Sequence, residues 1–319
     1  MFDVTCVGIC CVDSILRPVD EFPSPGTLKM VESVTLTTGG DAVNAAVALG
    51  KMGLNVQLMT TVGDDYLGDF IIEQCLSNQV DVGAVKRLAG INTPFTVVCV
   101  NSQGERCFLH TRGSNAHATA ESFDPNQACH GRVVFFAGAM LMDNMDGQPT
   151  ADFLAACRAR GRKTMLDGKY RANPADNYRL IKPILPHVDY LIPSEMEAKY
   201  WAADCGSEDP ACMAHFLQQQ GAHEVIIKLG AAGCQIFAKG TPPQSVPAYR
   251  VEDVVDTTGA GDCWGAGFAA GISMGMPIAE AARLGAAVSA HCVTAAGATT
   301  GVPSIGDIQA FQASQDSSG

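Results

Sequence analysis

Positive charge is scarce in this sequence. Lys and Arg together number 21 against 33 Asp and Glu, a formal net charge of −12. That balance excludes a general nucleic-acid or anionic-membrane partner. It also means that a bound phosphate must be held locally, by backbone N–H groups or a few cations. Long apolar runs are absent too. The Ala-rich stretch 278–297 is broken by Glu280, Arg283 and His291, so no membrane-spanning helix is expected. No basic segment followed by an apolar core opens the sequence, and a soluble, cytoplasmic protein is expected. Internal repeats and low-complexity linkers are missing. A Walker A loop is missing, because Gly50-Lys51 is followed by Met52 and lacks the glycine five positions earlier. A G-x-G-x-x-G fingerprint is also missing, since Gly259-x-Gly261 is followed by Gly265.

What is present suits one large α/β unit with a small inserted subdomain. The 319 residues are 47% apolar and 17% charged, enough for a sizeable core. The 13 cysteines sit inside apolar stretches (Cys6, Cys10, Cys11, Cys99, Cys292) and read as reduced core residues. Cys6 and Cys10 have no second pair at zinc spacing.

Phe2–Cys11 reads as a buried strand ending near Asp13. Residues 15–38 alternate polar and apolar and contain Pro18, Pro23 and Pro25, which predicts an exposed antiparallel hairpin. Gly39-Gly40 breaks the chain before a helix over 41–52, with Gly53 as its stop. A strand (56–62), a helix (65–77) and a second alternating patch (95–100, a turn, 106–110) follow. Beyond residue 131 the pattern is regular βαβ, with strands at 133–137, 163–166, 188–192 and 224–228. That alternation predicts a mainly parallel sheet with helices on both faces. Two Ala/Gly-rich helices, near 260–274 and 278–296, complete the pattern. The alternating patches 15–38 and 91–112 are expected to form one discontinuous β lid within a single domain spanning 1–319.

The strongest chemical signal is Asp256-Thr257-Thr258-Gly259-Ala260-Gly261-Asp262, between an extended segment and a helical one. Free N–H groups at a helix start attract anions, and glycine lets a phosphate approach the backbone. Asp262, in the first helical turn, stands where a carboxylate accepts a proton from an attacking hydroxyl. A glycine turn followed by an Asp cap is the alternative for this stretch alone.

Taken together, the segments resemble the carbohydrate-kinase family that includes ribokinase, fructokinase and adenosine kinase. Two signatures carry the resemblance, Gly39-Gly40-Asp41-Ala42-Val43-Asn44-Ala45-Ala46 and Asp256–Asp262, and it extends over essentially the whole chain. It implies a ribokinase-like three-layer αβα sandwich with a small β lid. It implies ATP as phosphoryl donor with Mg²⁺, a sugar hydroxyl as acceptor, Asp262 as base, and the Gly259-Ala260-Gly261 backbone as anion hole. A homodimer through the lid is expected on the same ground.

Other roles come from the same resemblance. Asp13, Gly39, Gly40, Asp41 and Asn44 match the sugar-binding positions; Asp41 and Asn44, three apart, share one helix face. Lys228-Leu229-Gly230-Ala231-Ala232-Gly233 and Ala286 match the nucleotide site. Glu197 matches the glutamate that orders magnesium and its waters, and Ser194 replaces the usual Asn of that motif. Asp256, Thr258, Cys292, Ala295 and Gly297 match a loop that encircles a monovalent cation such as K⁺ in several members.

An ATP-dependent sugar kinase is therefore the expected function. A nucleoside kinase is the alternative, with Phe22, Phe95 and Phe108 as candidate base-facing surfaces, and a non-catalytic sugar sensor is the third reading. Arg106, His110, Arg112, Lys169 and Arg171 are either surface cations or a site for an acidic or phosphorylated sugar.

Overall fold

The computed structural model describes residues 1–316. Its strands are β1 (Phe2–Gly8), β2 (Cys11–Arg17), β3 (Ser33–Gly39), β4 (Val56–Met59), β5 (Thr61–Gly63), β6 (Val80–Asp81), β7 (Lys86–Leu88), β8 (Phe95–Val100), β9 (Arg106–Thr111), β10 (Gly131–Ala139), β11 (Lys163–Gly168), β12 (Tyr190–Leu191), β13 (Glu224–Lys228), β14 (Cys234–Phe237) and β15 (Gln244–Val246). The helices are α1 (Asp41–Lys51), α2 (Tyr66–Ser77), α3 (Gly113–His117), α4 (Pro125–Ala128), α5 (Gln148–Ala159), α6 (Pro174–Ile181), α7 (Glu195–Trp201), α8 (Pro210–Gln219), α9 (Ala260–Ser273), α10 (Ile278–Cys292) and α11 (Ile305–Asp316).

The central sheet has the order β15-β14-β13-β12-β11-β10-β1-β4-β6. Its members from β13 to β6 run parallel, and β14 and β15 pair antiparallel at one edge. Because side chains alternate along a strand, each strand feeds two cores. Val133, Phe135 and Ala137 of β10 join the core with α1, α9 and α10, whereas Val134 and Phe136 join the one with α5, α7 and α8. Phe135 and Phe136 are fully buried, each worth about 1.5–3 kcal/mol. The parallel strands end together, so the sheet's carboxyl edge faces the first turns of α1 and α9. Open α/β sheets bind ligands at that edge.

The second sheet, β3-β2-β8-β9, is the lid. It begins earlier than expected: the first strand stops at Gly8, and Cys11 already belongs to β2. Asp13 is therefore a lid residue and does not close the first strand of the body. The lid is mixed, not a simple hairpin, because β2 pairs antiparallel with β3 but parallel with β8. A long irregular connection, 18–32, separates β2 from β3, and its prolines are poor ladder donors. The expected strand 56–62 is split at Thr60, and β5 pairs with β7 in a separate two-stranded unit. The strand expected at 188–192 keeps only Tyr190–Leu191. The last helix, α11, has almost no one-sided apolar pattern and was not expected. All 13 cysteines are free, and ten of them are buried, as expected for core thiols.

Candidate active site

Asp262 is the third residue of α9. The helix is capped by Gly259 at φ 76°, a left-handed conformation, and a Cβ there would lie 2.5 Å from Ala298 O. The first helical bond runs from Cys263 N–H to Gly259 C=O at 2.8 Å. The N–H groups of Gly261 and Asp262 precede it and are those that a helix start leaves for an anion. Lys228 Nζ stands beside this turn, since a Cβ on Gly261 would be 3.8 Å from it.

The Asp262 carboxylate is buried, and its Oδ2 accepts from Asn44 Nδ2 at 2.7 Å. Burial, together with the nearby Asp41 carboxylate, pushes it up to about 7, against the pull of Lys169 and Asn44. Asp41 and Asn44 reach this point because α1 starts at Gly40, whose φ of 90° and tight approach to Cys10 exclude a side chain. Lys169 Nζ lies 3.1 Å from Asp41 Oδ2. It is close in charge but is not aligned as a hydrogen bond. Asp41 Oδ2 and Asn44 Oδ1 are thus buried acceptors with no hydrogen-bond donor. Gly39 lets the Asp13 carboxylate lie against the backbone, since a Cβ there would be 2.3 Å from Asp13 Oδ2.

The ends of β11, β12 and β13 add a second charged group. Lys228 Nζ meets Asp167 Oδ2 at 2.6 Å, with both side chains largely buried. Burial holds Asp167 up at about 6, although Lys228 opposes it. Ser194 and Glu197 form a reciprocal cap at the start of α7: Ser194 N donates to Glu197 Oε2 at 2.6 Å, and Glu197 N to Ser194 Oγ at 3.3 Å. Glu197 is buried.

The lid reaches the turn before α9 through Arg106. Its guanidinium donates to Asp256 Oδ1 at 2.8 Å and to Thr258 Oγ1 at 2.7 Å. Asp256 also accepts from Thr258 N and Gly297 N. Burial works against ionisation there, but these donors and Arg106 win and take Asp256 down to about 2. Between lid and body lies a cavity of about 220 Å³ lined by residues that include Asp13, Thr38, Thr96, Phe108, Arg106 and Thr258. A larger cavity of about 590 Å³ lies on the other side of the α9 start, and Gly230, Gly233, Val251, Trp264, Ala286 and Ala290 are among its lining residues.

The description of the pfkB family of carbohydrate kinases matches residues 1–305. The chain belongs to that family. Among curated relatives, the ribokinase of Lactococcus lactis is 24% identical over 97% of both chains. The 2-dehydro-3-deoxygluconokinase of Bacillus subtilis is 27% identical over 91% of both. Among solved structures, Arabidopsis thaliana ribokinase complexed with ribose and ATP superposes with a TM-score of 0.86 at 22% identity, covering 97% of this chain and 98% of that one. This pfkB-family carbohydrate kinase thus has the ribokinase-like fold, with its mostly parallel sheet between two helical layers.

In this kinase the expected residues fall into three groups. Asp41, Asn44 and Asp262 converge. Gly230, Ala231, Gly233, Ala260 and Ala286 line the larger cavity, while Lys228 turns away from it toward Asp167 and Gly261. Leu229 and Ala232 hold the turn, Leu229 N donating to Gly233 O and Ala232 N to Leu229 O. Cys292 sends its thiol to Ala298 O at 3.2 Å. The candidate acid-binding cations are already paired. Arg112 and Arg171 both hold Asp143, and Arg171 also holds Asp146. His110 Nδ1 is 3.0 Å from Thr96 Oγ1. Sequence reasoning missed Asp167 and Trp264. Asp167 follows the expected strand 163–166 at its carboxyl end, which is the available signal; Trp264 was visible only as one residue of an apolar helix.

Proposed function

We propose that this enzyme transfers the γ-phosphoryl group of ATP to a hydroxyl of an uncharged monosaccharide, with Asp262 as base. The observation that carries this reading is a pair of buried acceptors beside Asp262 without a hydrogen-bond donor, Asn44 Oδ1 and Asp41 Oδ2, the latter met only by the Lys169 ion pair. Unpaired buried acceptors are costly, and sugar hydroxyls supply the donors they lack. Asp13, from the lid, lines the cavity between lid and body and lies against Gly39, two residues before Asp41. Arg106, Arg112, Lys169 and Arg171 each already face a carboxylate, which argues for a neutral polyol over a sugar acid.

Asp262 takes the proton of the attacking hydroxyl as the oxygen turns toward the phosphoryl group. The N–H groups at the α9 start and Lys228 stabilise the charge that builds on the transferring group. Adenine and ribose fit the larger cavity, where small side chains and the Trp264 ring leave room for a flat base. Among the described residues no three acidic, His or Cys side chains gather closely enough to hold a metal ion themselves. Asp41, Asp167, Glu197 and Asp262 nevertheless outnumber Lys169 and Lys228, so the edge favours a hydrated cation arriving on the nucleotide, with Glu197 ordering its waters. Magnesium held near Glu197 and Asp167 would supply positive charge against the phosphates. A monovalent cation does not fit at Asp256, because a guanidinium already stands on that carboxylate, and no step is assigned to one.

The lid closes over the sugar and excludes water through the Arg106 bridge. Its outer face carries exposed Val34, Leu36 and Leu109, an apolar surface that a second lid would cover in a homodimer. No helix among the described residues is long and apolar enough to cross a membrane. Thirteen free thiols suit a reducing, cytoplasmic setting. A nucleoside acceptor is the second reading, favoured by Phe108 on the wall of the lid cavity; Phe22 is exposed and points to no base site. An ADP-release screen over hexoses, pentoses, sugar acids, phosphosugars and nucleosides tests these readings. Turnover with a neutral sugar is expected. Turnover confined to nucleosides or to sugar acids overturns the substrate assignment.

A further inference from the structure

Lys169 is the first residue beyond β11, and its backbone is fixed on both sides. Its N–H donates to Ala139 O at 2.9 Å, and its carbonyl accepts from the indole N–H of the fully buried Trp201 at 3.0 Å. Gly168, just before it, packs so close to β10 that a Cβ there would lie 2.7 Å from Ala139 O. From this anchored point the side chain enters the site from its open side, with the lysine 40% and Asp41 10% exposed in their side chains.

The carboxylates it meets form a crowded pair. Asp41 and Asp262 are both buried, and like charges in a buried site resist ionising together. Asn44 offers Asp262 one N–H dipole. Lys228, the other ammonium at this edge, is committed to Asp167 at 2.6 Å. Lys169 is what remains for the Asp41–Asp262 pair.

We propose that Lys169 is a positioning residue for phosphoryl transfer: its ammonium, 3.1 Å from Asp41, offsets the crowding of the two carboxylates, so that Asp262 meets the sugar hydroxyl as a bare base. The groups facing Asp262 are Asp41 and Asn44 on α1, Asp167 at the end of β11, Lys169 itself, and the neighbouring Cys263 on α9. Glu197 on α7 and Lys228 on β13 act one step further out, on Lys169 and Asp167. Asp41 above all holds Lys169 well above the usual lysine range, so it stays charged wherever Asp262 titrates. Removing that charge pushes Asp262 further up. The acid limb of the rate profile, set by protonation of the base, must then move to higher pH.

The inference rests on Asp262 being the base, which Asp262→Asn tests separately. The experiment is the pH dependence of kcat, at saturating sugar and ATP, for the wild type, Lys169→Met and Lys169→Arg, with thermal unfolding of each variant. We expect Lys169→Met to lose about tenfold at pH 7 and to recover most of it one to two pH units higher. The KM for ATP should stay within twofold, and Lys169→Arg should keep the wild-type limb. If Lys169→Met does not fold, Lys169→Gln is read in the same way. An unmoved acid limb overturns the inference, whatever the size of the loss in kcat. So does a variant whose only defect is a higher KM for the sugar, which would make Lys169 a substrate ligand. If Asp262→Asn keeps its turnover, the base assignment fails first; if it is inactive and the limb in Lys169→Met stays put, only the role of Lys169 fails.

Discussion

The two sides of the α9 start are built from opposite materials. Toward the lid, charged and amide side chains crowd together: Asp41, Asn44, Lys169 and Asp262, with Asp167, Glu197 and Lys228 behind them. Toward the larger cavity, the lining is glycine, alanine, valine and one tryptophan ring. One side offers fixed donors and acceptors and holds its charges in a poorly solvated space, where each electrostatic contact is strong and each missing partner costly. The other offers shape and room. On the proposed reading, hydroxyl recognition and proton transfer belong to the charged side and capture of a flat ring to the apolar side.

Breaking the charged side at its centre should have the largest effect. Asp262→Asn keeps its shape and its contact with Asn44 but has no base, so kcat should fall by about 10²–10⁴-fold, while thermal unfolding stays near that of the wild type. A rate within a few-fold of the wild type would remove Asp262 from the mechanism. The intact enzyme sharpens the same point through pH. A base raised to about 7 works only when deprotonated, so kcat should drop about tenfold per unit as pH falls below that value. A flat profile between pH 5 and 7 would contradict it.

Asn44→Ala comes next. It strips one donor from Asp262 and one acceptor from the sugar site, each worth about 1–3 kcal/mol. Sugar kcat/KM should fall by one to two orders of magnitude with nucleotide affinity unchanged, as read by titration calorimetry with ATP. A loss of ATP affinity would mean that the two sides had been assigned in reverse. Ala286→Leu probes the apolar side in mirror image. Overpacking costs about 1–3 kcal/mol, so the KM for ATP should rise about tenfold or more while sugar binding holds. Arg106→Ala should be the mildest. Its ion pair is partly exposed, 31% on the arginine side, and such pairs are worth about 1 kcal/mol or less. A few-fold rise in sugar KM and faster hydrogen exchange over 106–111 are expected; unchanged exchange would show that the bridge does not hold the lid.

Much of this contrast was legible in the sequence, and the illegible part follows a pattern. The glycine-bounded starts of α1 and α9 were visible because local chemistry writes them: glycine takes the left-handed turn, and the acid follows within one turn. The βαβ alternation after residue 131 was visible because helices and parallel strands have different periods. The lid was legible as two alternating patches, but its bounds and pairing were not. Strand β2 pairs with β8 across some eighty residues, and nothing in either segment alone records that partner. The strand 188–192 read as continuous, yet only two residues pair, because neighbouring strands set ladder length. Arg106 read either as a surface cation or as part of a site for an acidic sugar until the fold laid it on Asp256, 150 residues away in the chain.

The sequence by itself determined the kind of protein: a parallel α/β body, reduced buried cysteines, a helix start built for an anion, and a carboxylate beside it. Those features depend on residues close together in the chain, where spacing and backbone preference suffice. Only the tertiary structure decided which charges answer one another. Asn44 and Asp262 are 218 residues apart and share a 2.7 Å hydrogen bond, while Lys228 meets Asp167, 61 residues away. Electrostatic partners at such separations are chosen by where strand ends and helix starts meet, and burial then makes each choice strong enough to set the ionisation of Asp262.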